Sequence, residues 1–283
     1  MIGLNDNLLY MHVYNSEDIL PVKINSLALI SDDEISELVR KYNNAGFVVF
    51  ELLNDIPNQN ALLTLAKKLK LGNPYVPKIY SSKENIYERN GLNIIKVNEG
   101  PHRAFQTNNE QKIHSDGTIE EIGKIKTSIL LCSKQASFGG ETVIFNSVSA
   151  FYRLLEHEKL EPIILSLCDL KALRRVAING EKEEYIGPAF EIRNGEIISR
   201  FSLDNTCDWE YGFNNVKFLK EAYSLLVEMN TPNSPLYIET RLKCNQGIIM
   251  ANDKVSHGRK EFIDENSMRE MIRGLFEENL RVN

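Results

Sequence analysis

Cysteine is scarce in this 283-residue chain. The four that occur, Cys132, Cys168, Cys207 and Cys244, stand more than thirty residues apart. No CxxC pair exists, which excludes a zinc cluster or a dithiol redox motif and fits reduced thiols. No apolar run approaches the length needed to cross a bilayer. The opening segment, MIGLNDNLLYMHVYNSEDIL, lacks the basic start and continuous apolar core of a signal peptide. Neither sign of charge dominates: 33 Lys and Arg face 39 Asp and Glu, for a net charge of -6. Without a basic stripe carrying interleaved aromatics, nucleic acid is excluded as the main partner. Repeats, low-complexity tracts and interdomain linkers are also missing. The expectation is a soluble, cytoplasmic chain forming one domain over residues 1–283, with no membrane or nucleic-acid partner.

What is present begins with a helix over residues 31–46. Ser31 and Glu34 form a capping-box pattern, Ile35, Leu38, Val39 and Tyr42 recur at helical spacing, and Asn43, Asn44 and Gly46 mark its end. "GFVVFELL" then reads as a strand. A second helix is expected near residues 59–70, with Leu62, Leu65, Ala66 and Leu69 on one face and Gly72, Asn73 and Pro74 beyond it. Residues 75–112 are polar and rich in turns, a texture more typical of functional covering than of core. Short strands follow in "KTSILLCSK" and "GGETVIFN". Helices are expected at "SVSAFYRLLE" and "NVKFLKEAYSLLVEM", and a hairpin at Asn194-Gly195. "PLYIETRLKCNQGIIMAND" and "REMIRGLFEEN" supply the last strands. The fold class is therefore α+β with a mostly β core, helical near 25–75 and strand-rich from about 95 to 277.

Histidine is nearly as rare as cysteine, with five residues. One of them opens "HSD", and on a strand His114 and Asp116 would aim an imidazole and a carboxylate at one point. Two ligands do not complete a metal site. His12, His102 and His157 lie in unpromising settings, whereas His257 follows the strand-like run "GIIMAND" and stands just past its end. Two histidines and one aspartate form the facial set that non-haem Fe(II) oxygenases use. A 2-oxoglutarate co-substrate then requires a cation for its far carboxylate, best a guanidinium. Arg269 and Arg273 stand four residues apart in the apolar run "MREMIRGLF", so both can face inward on a strand. Two other classes share these ligands: a metal-binding relative without oxygenase activity, and a zinc hydrolase. The hydrolase needs a general base at the metal, and Glu120 and Glu121 are not obviously aimed there.

"IHSDGTIEEIGKIKTSILLCSKQASFGGETVIFNSVSAFYRLL", "QGIIMANDKVSHGRKEF" and "MREMIRGLF" resemble segments of the Fe(II)/2-oxoglutarate dioxygenases of the taurine dioxygenase (TauD/TfdA) superfamily, nearer its clavaminate synthase-like branch. The likeness extends from about residue 45 to 277, loosely over 150–235. It implies a double-stranded β-helix, a jelly-roll of the cupin kind, with flanking helices. It implies Fe(II) on His114, Asp116 and His257, with dioxygen and 2-oxoglutarate as co-substrates. Thr142 and Arg269 would hold the 2-oxoglutarate carboxylate, and Arg273 would help there or meet the substrate. The Gly-Asp usual before the distal-histidine strand is Gln246-Gly247 here, read as a turn. Halogenating members carry a small residue where this chain has Asp116, which argues against chlorination. The branch implies a free amino acid or small amino-acid-derived metabolite as substrate, hydroxylated at an unactivated C–H, or alternatively desaturated, cyclised or oxidatively decarboxylated. Substrate contacts are expected from Arg103, Phe105, Gln106 and Arg200, and Trp209 is expected to pack rather than bind.

Overall fold

The computed structural model describes residues 4–5, 7–80, 87–97, 104–179, 181–264 and 269–281. Two β-sheets organise it. The large sheet has six strands in the order Val22–Ile24, Phe47–Leu52, Gln246–Ala251, Thr127–Lys134, Glu270–Phe276 and Asn93–Ile95. The small sheet has four, in the order Tyr237–Thr240, Thr142–Phe145, Ser256–Arg259 and Gln111–His114. All pairings in both are antiparallel except that between the first two strands of the large sheet.

Alternation along each strand sorts side chains into layers. In Phe47–Leu52, Val48 and Phe50 pack with Leu38, Val39, Leu62 and Leu65 of the two N-terminal helices. Phe47 and Val49 instead pack with Ile144, Ile248 and Met250, so this second layer contains residues from both sheets. That explains why the strand reads as a continuous apolar run: neither face meets water. Beyond the small sheet, Val143 and Phe145 pack into a third cluster with Phe151, Phe190, Phe201, Trp209 and Leu226. The layers thus run helices, large sheet, small sheet, and a second helical cluster.

The helix expected over residues 31–46 spans Asp32–Ala45, and both hydrogen bonds of the Ser31–Glu34 capping box are formed. Asn43 and Asn44 do not end it. They complete its last turn, and Gly46 caps it. The second helix is shorter than its pattern, Gln59–Lys68. The Asn194-Gly195 hairpin forms, joining Phe190–Arg193 to Glu196–Ser199, with φ of 55° and 80° at its two central residues. The helix expected from Asn215 begins only at Leu219, because Phe218 takes a left-handed conformation. Gln246-Gly247 is not a turn: both residues lie within the buried strand Gln246–Ala251. A Cβ on Gly247 would stand 2.3 Å from the Phe50 ring and 2.6 Å from the Leu130 carbonyl oxygen. Glycine is needed there for close packing. Trp209 packs, as expected, and donates its indole N–H to the Ser202 carbonyl at 2.9 Å. Among the described residues, no helix is long and apolar enough to cross a membrane.

Candidate metal centre

The parity that buries Val143 and Phe145 outward turns Thr142 and Ile144 inward. It does the same for His257 on the adjacent strand and His114 on the next. His257 pairs directly with both Ile144 and His114. This cross-strand pairing places the two imidazole centroids 4.5 Å apart. His257 therefore does not lie just past the strand Gln246–Ala251. The chain leaves the large sheet there, turns through Asn252–Lys254, and carries His257 into the small sheet on a strand of its own, Ser256–Arg259.

Asp116, by contrast, is not on a strand. The strand ends at His114, and Asp116 sits in the bend beyond it. Side chains from distant segments hold that bend in place of sheet hydrogen bonds. The Asp116 N–H donates to Asn252 Oδ1 at 2.8 Å, and Asn252 Nδ2 donates to the carbonyls of Asp116 and Ile125 at 3.3 and 2.9 Å. Ser115 N–H donates to Ser202 Oγ at 3.0 Å, and Arg175 donates to the Ser115 carbonyl at 3.2 Å. The result brings ligand atoms of His114, Asp116 and His257 within 4.8 Å of one another.

The donor chemistry fits a divalent metal ion. His114 Nδ1 lies 3.0 Å from the Lys112 carbonyl, which can only accept. The proton is thus on Nδ1, and Nε2 keeps its lone pair. Burial, and then the neighbouring His257, push the His114 imidazole down to about 4, so it is neutral near pH 7. Burial raises the Asp116 carboxyl. The Arg273 guanidinium and the two imidazoles outweigh it and hold the group well below the usual carboxylate range. His257 Nε2 stands 3.4 Å from Asp116 Oδ2, and His257 Nδ1 is buried without a hydrogen-bond partner among the described residues. Two imidazole nitrogens and one ionised carboxylate suit Fe(II).

Two cavities meet at these residues. A narrow inner slot runs from His114 and His257 past Thr142 to Arg269, walled by Ile95, Leu130 and Met271. Arg269 is 7% exposed, and its guanidinium lies 5.1 Å from the Phe262 ring centroid. No carboxylate among the described residues forms an ion pair with it. Burial lowers its pKa, and the nearby Cys132 and Asp264, whose carboxylate accepts the Arg269 backbone N–H, offset that only in part. A buried guanidinium with no ion pair among the described residues, beside a threonine hydroxyl, fits the far carboxylate of 2-oxoglutarate. Arg273 faces inward as its spacing requires, but it is already paired: Nη1 donates to Asp116 Oδ1 at 2.8 Å, and the guanidinium lies 5.3 Å from the Phe105 centroid.

The second, outer cavity encloses about 580 Å³ and opens over His114 and Asp116. Tyr80, Tyr87 and Phe105 contribute rings, and Asn109, Gln111, Asp204, Asn205 and Thr206 contribute polar groups. Phe105 lines both cavities. Gln106 lines neither, and Arg103 lies outside the described residues. Arg200 also lines neither. It is 4% exposed, donates to the Gly117 and Glu120 carbonyls, and lies over the Tyr185 ring, so it supports the turn behind Asp116. Glu120 is occupied too, accepting from the Lys78 N–H at 2.9 Å, and neither cavity is lined by it or by Glu121. Reading the sequence passes over Asn252, Ser128 and Arg175. Asn252 has the best signal, a polar residue closing the apolar run "GIIMA".

Known proteins share this arrangement of sheets. An asparagine oxygenase, solved with Fe(II), 2S,3S-3-hydroxyasparagine and succinate, superposes with a TM-score of 0.60 at 16% identity, over 87% of this chain and 78% of that one. The non-haem iron oxygenase OrfP, solved with Fe and α-ketoglutaric acid, gives 0.60 at 13% identity, over 88% and 81%. These likenesses establish a common fold. In sequence, the chain is 32% identical over 251 residues to a uridine-5'-phosphate dioxygenase from an Amycolatopsis species, covering 87% of this chain and 90% of the relative. A uridine-5'-phosphate dioxygenase from a Streptomyces species is 27% identical, over 84% and 86%. The model of the family "Taurine catabolism dioxygenase TauD, TfdA family" matches residues 13–275. The chain belongs to the TauD/TfdA family and is an Fe(II)- and 2-oxoglutarate-dependent dioxygenase.

Proposed function

We propose that this enzyme oxidises a C–H bond of a nucleoside 5'-monophosphate of the uridine type, with iron held by His114, Asp116 and His257 in a double-stranded β-helix of one cytoplasmic catalytic domain. The observation that carries the site assignment is the convergence of those three residues where the slot and the outer cavity meet. Bound Fe(II), dioxygen and 2-oxoglutarate together supply the oxidation of an unactivated C–H bond, with succinate and carbon dioxide as the co-products.

The chain's own residues do the positioning. His114 presents Nε2 because Lys112 fixes the proton on Nδ1. Asp116 supplies the anionic donor. Arg269 pairs with the far carboxylate of 2-oxoglutarate, and Thr142 donates its hydroxyl to the same group. Ile95, Leu130 and Met271 keep water out of the slot, which strengthens that charge pair. Arg273 steadies Asp116 and borders the substrate space.

Two observations support the substrate class. Two relatives that this chain matches along most of their length are uridine-5'-phosphate dioxygenases. The outer cavity joins an aromatic cluster to amide groups: the Tyr80 ring centroid lies 5.6 Å from Tyr87 and 6.5 Å from Phe105. A pyrimidine ring uses both, stacking on its face and hydrogen bonding at its edge. A free amino acid, the class expected from the resemblance, is the competing substrate. The test is succinate formation by the iron-loaded enzyme with uridine 5'-phosphate, uridine and a panel of free amino acids, with product masses recorded. Faster turnover with uridine 5'-phosphate supports the proposal. Turnover with an amino acid and none with either uridine compound overturns it.

A further inference from the structure

Ser128 has no role in the mechanism above, yet it occupies a costly position. It lies in the strand Thr127–Lys134 between Met250 and Leu275 on the neighbouring strands, and it is 0% exposed. Its face of the strand also carries Leu130, which lines the slot, and Cys132, which packs in the core between the sheets. A hydroxyl buried there is tolerated only with a partner. Its partner is Asp116: Ser128 Oγ donates to Asp116 Oδ2 at 2.8 Å.

The contact is directional in a useful way. Arg273 Nη1 takes Oδ1 of the same carboxylate at 2.8 Å. Oδ2 is the oxygen that faces His257 Nε2, 3.4 Å away. One donor therefore holds Oδ1, and a second grips Oδ2, the oxygen beside His257. A carboxylate has about four lone-pair directions, and these bonds use one on each oxygen. Oδ2 keeps a lone pair free for a metal within reach of the imidazole nitrogens. The bend that carries Asp116 has no sheet partner of its own, so without both donors the carboxylate is free to rotate about its Cβ–Cγ bond.

We propose that Ser128 is a positioning residue for the metal centre. Its hydroxyl, acting with Arg273, fixes the Asp116 carboxylate so that Oδ2 alone is presented for coordination. The inference rests on the assignment of His114, Asp116 and His257 as metal ligands, but not on any choice of substrate. Hydrogen-bonded partners of metal ligands generally account for ten- to a hundredfold in metal affinity.

The test is titration of the metal-free protein with Co(II) alone, read by absorption, for wild type, Ser128→Ala and Ser128→Thr, with metal-free melting temperatures recorded. The proposal predicts that Ser128→Ala weakens Co(II) binding about tenfold or more. Ser128→Thr, which keeps the hydroxyl, restores most of the affinity. A residue that serves folding alone lowers the melting temperature of Ser128→Ala and leaves the affinity of the folded protein unchanged, and that result overturns the proposal. Absence of Co(II) binding by wild type overturns the ligand assignment and this role with it, and is distinct from equal binding by wild type and Ser128→Ala, which removes Ser128 only.

Discussion

The inner slot and the outer cavity touch at His114 and are built in opposite ways. The slot is lined by residues of paired strands, Thr142, His257, Met271 and Arg273 among them, whose directions follow from strand parity and register. The outer cavity takes most of its described lining from segments outside the two sheets, including Tyr80, Tyr87, Asn109 and Asn205. The difference separates two tasks. Chemistry common to a family needs donors held within about 0.5 Å, which the sheets supply for His114, His257 and Thr142, with Asp116 held beside them by Asn252 and Ser128. Substrate choice is free to vary, and loops vary without disturbing the sheets.

Substitutions in the two regions should therefore fail differently. The largest effect is expected from His257→Ala, which removes a ligand from the centre: turnover and stable Fe(II) binding should both vanish, read by succinate assay and anaerobic metal titration. Arg269→Ala should bind Fe(II) normally but weaken 2-oxoglutarate. The lost charge-assisted contact costs roughly 1.5–3 kcal/mol, or about ten- to a hundredfold in affinity, measurable by calorimetry. In the outer cavity, Tyr87→Leu should leave 2-oxoglutarate affinity unchanged. It should raise KM for the primary substrate about five- to tenfold, through loss of ring contact worth ~1 kcal/mol. An equal effect of Tyr87→Leu on both ligands would erase the distinction between slot and cavity.

A smaller effect concerns pH. In the metal-free protein, the His114 imidazole is held down to about 4, against an ordinary 6.5. Between those values the unfolded chain binds a proton that the folded chain refuses. Its contribution to stability is present above about 6.5 and is lost as pH falls toward 4. Urea midpoints measured across that window should fall with pH, and the slope should flatten in His114→Gln. A slope unchanged by that substitution would assign the dependence to other groups.

The parts that were legible in the sequence are those governed by local rules. The Ser31–Glu34 box, the Asn194-Gly195 hairpin and the inward parity of Arg273 each follow from a few neighbouring residues, whereas Arg269, expected on the same strand, stands just before it begins at Glu270 and still lines the slot. The His114–Asp116 spacing pointed to convergence for a reason that does not hold. A shared strand face was expected, whereas the strand stops at His114 and Asp116 is steered by Asn252, 136 residues away. No spacing rule encodes such a bond. The same limit applies to Arg200, whose hydrogen bonds to the Gly117 and Glu120 carbonyls join residues 83 and 80 positions apart. Residues 75–112 resisted reading because many of their side chains line a cavity instead of a core, so apolar periodicity is weak there.

The central claim is that His114, Asp116 and His257 hold Fe(II) at the mouth of a slot that takes 2-oxoglutarate. Anaerobic protein mixed with Fe(II) and 2-oxoglutarate tests it most directly, through the weak visible charge-transfer band of the iron chelate. The account predicts the band in wild type and its loss in His257→Ala. No band in wild type, or a band of equal strength in His257→Ala, would contradict it.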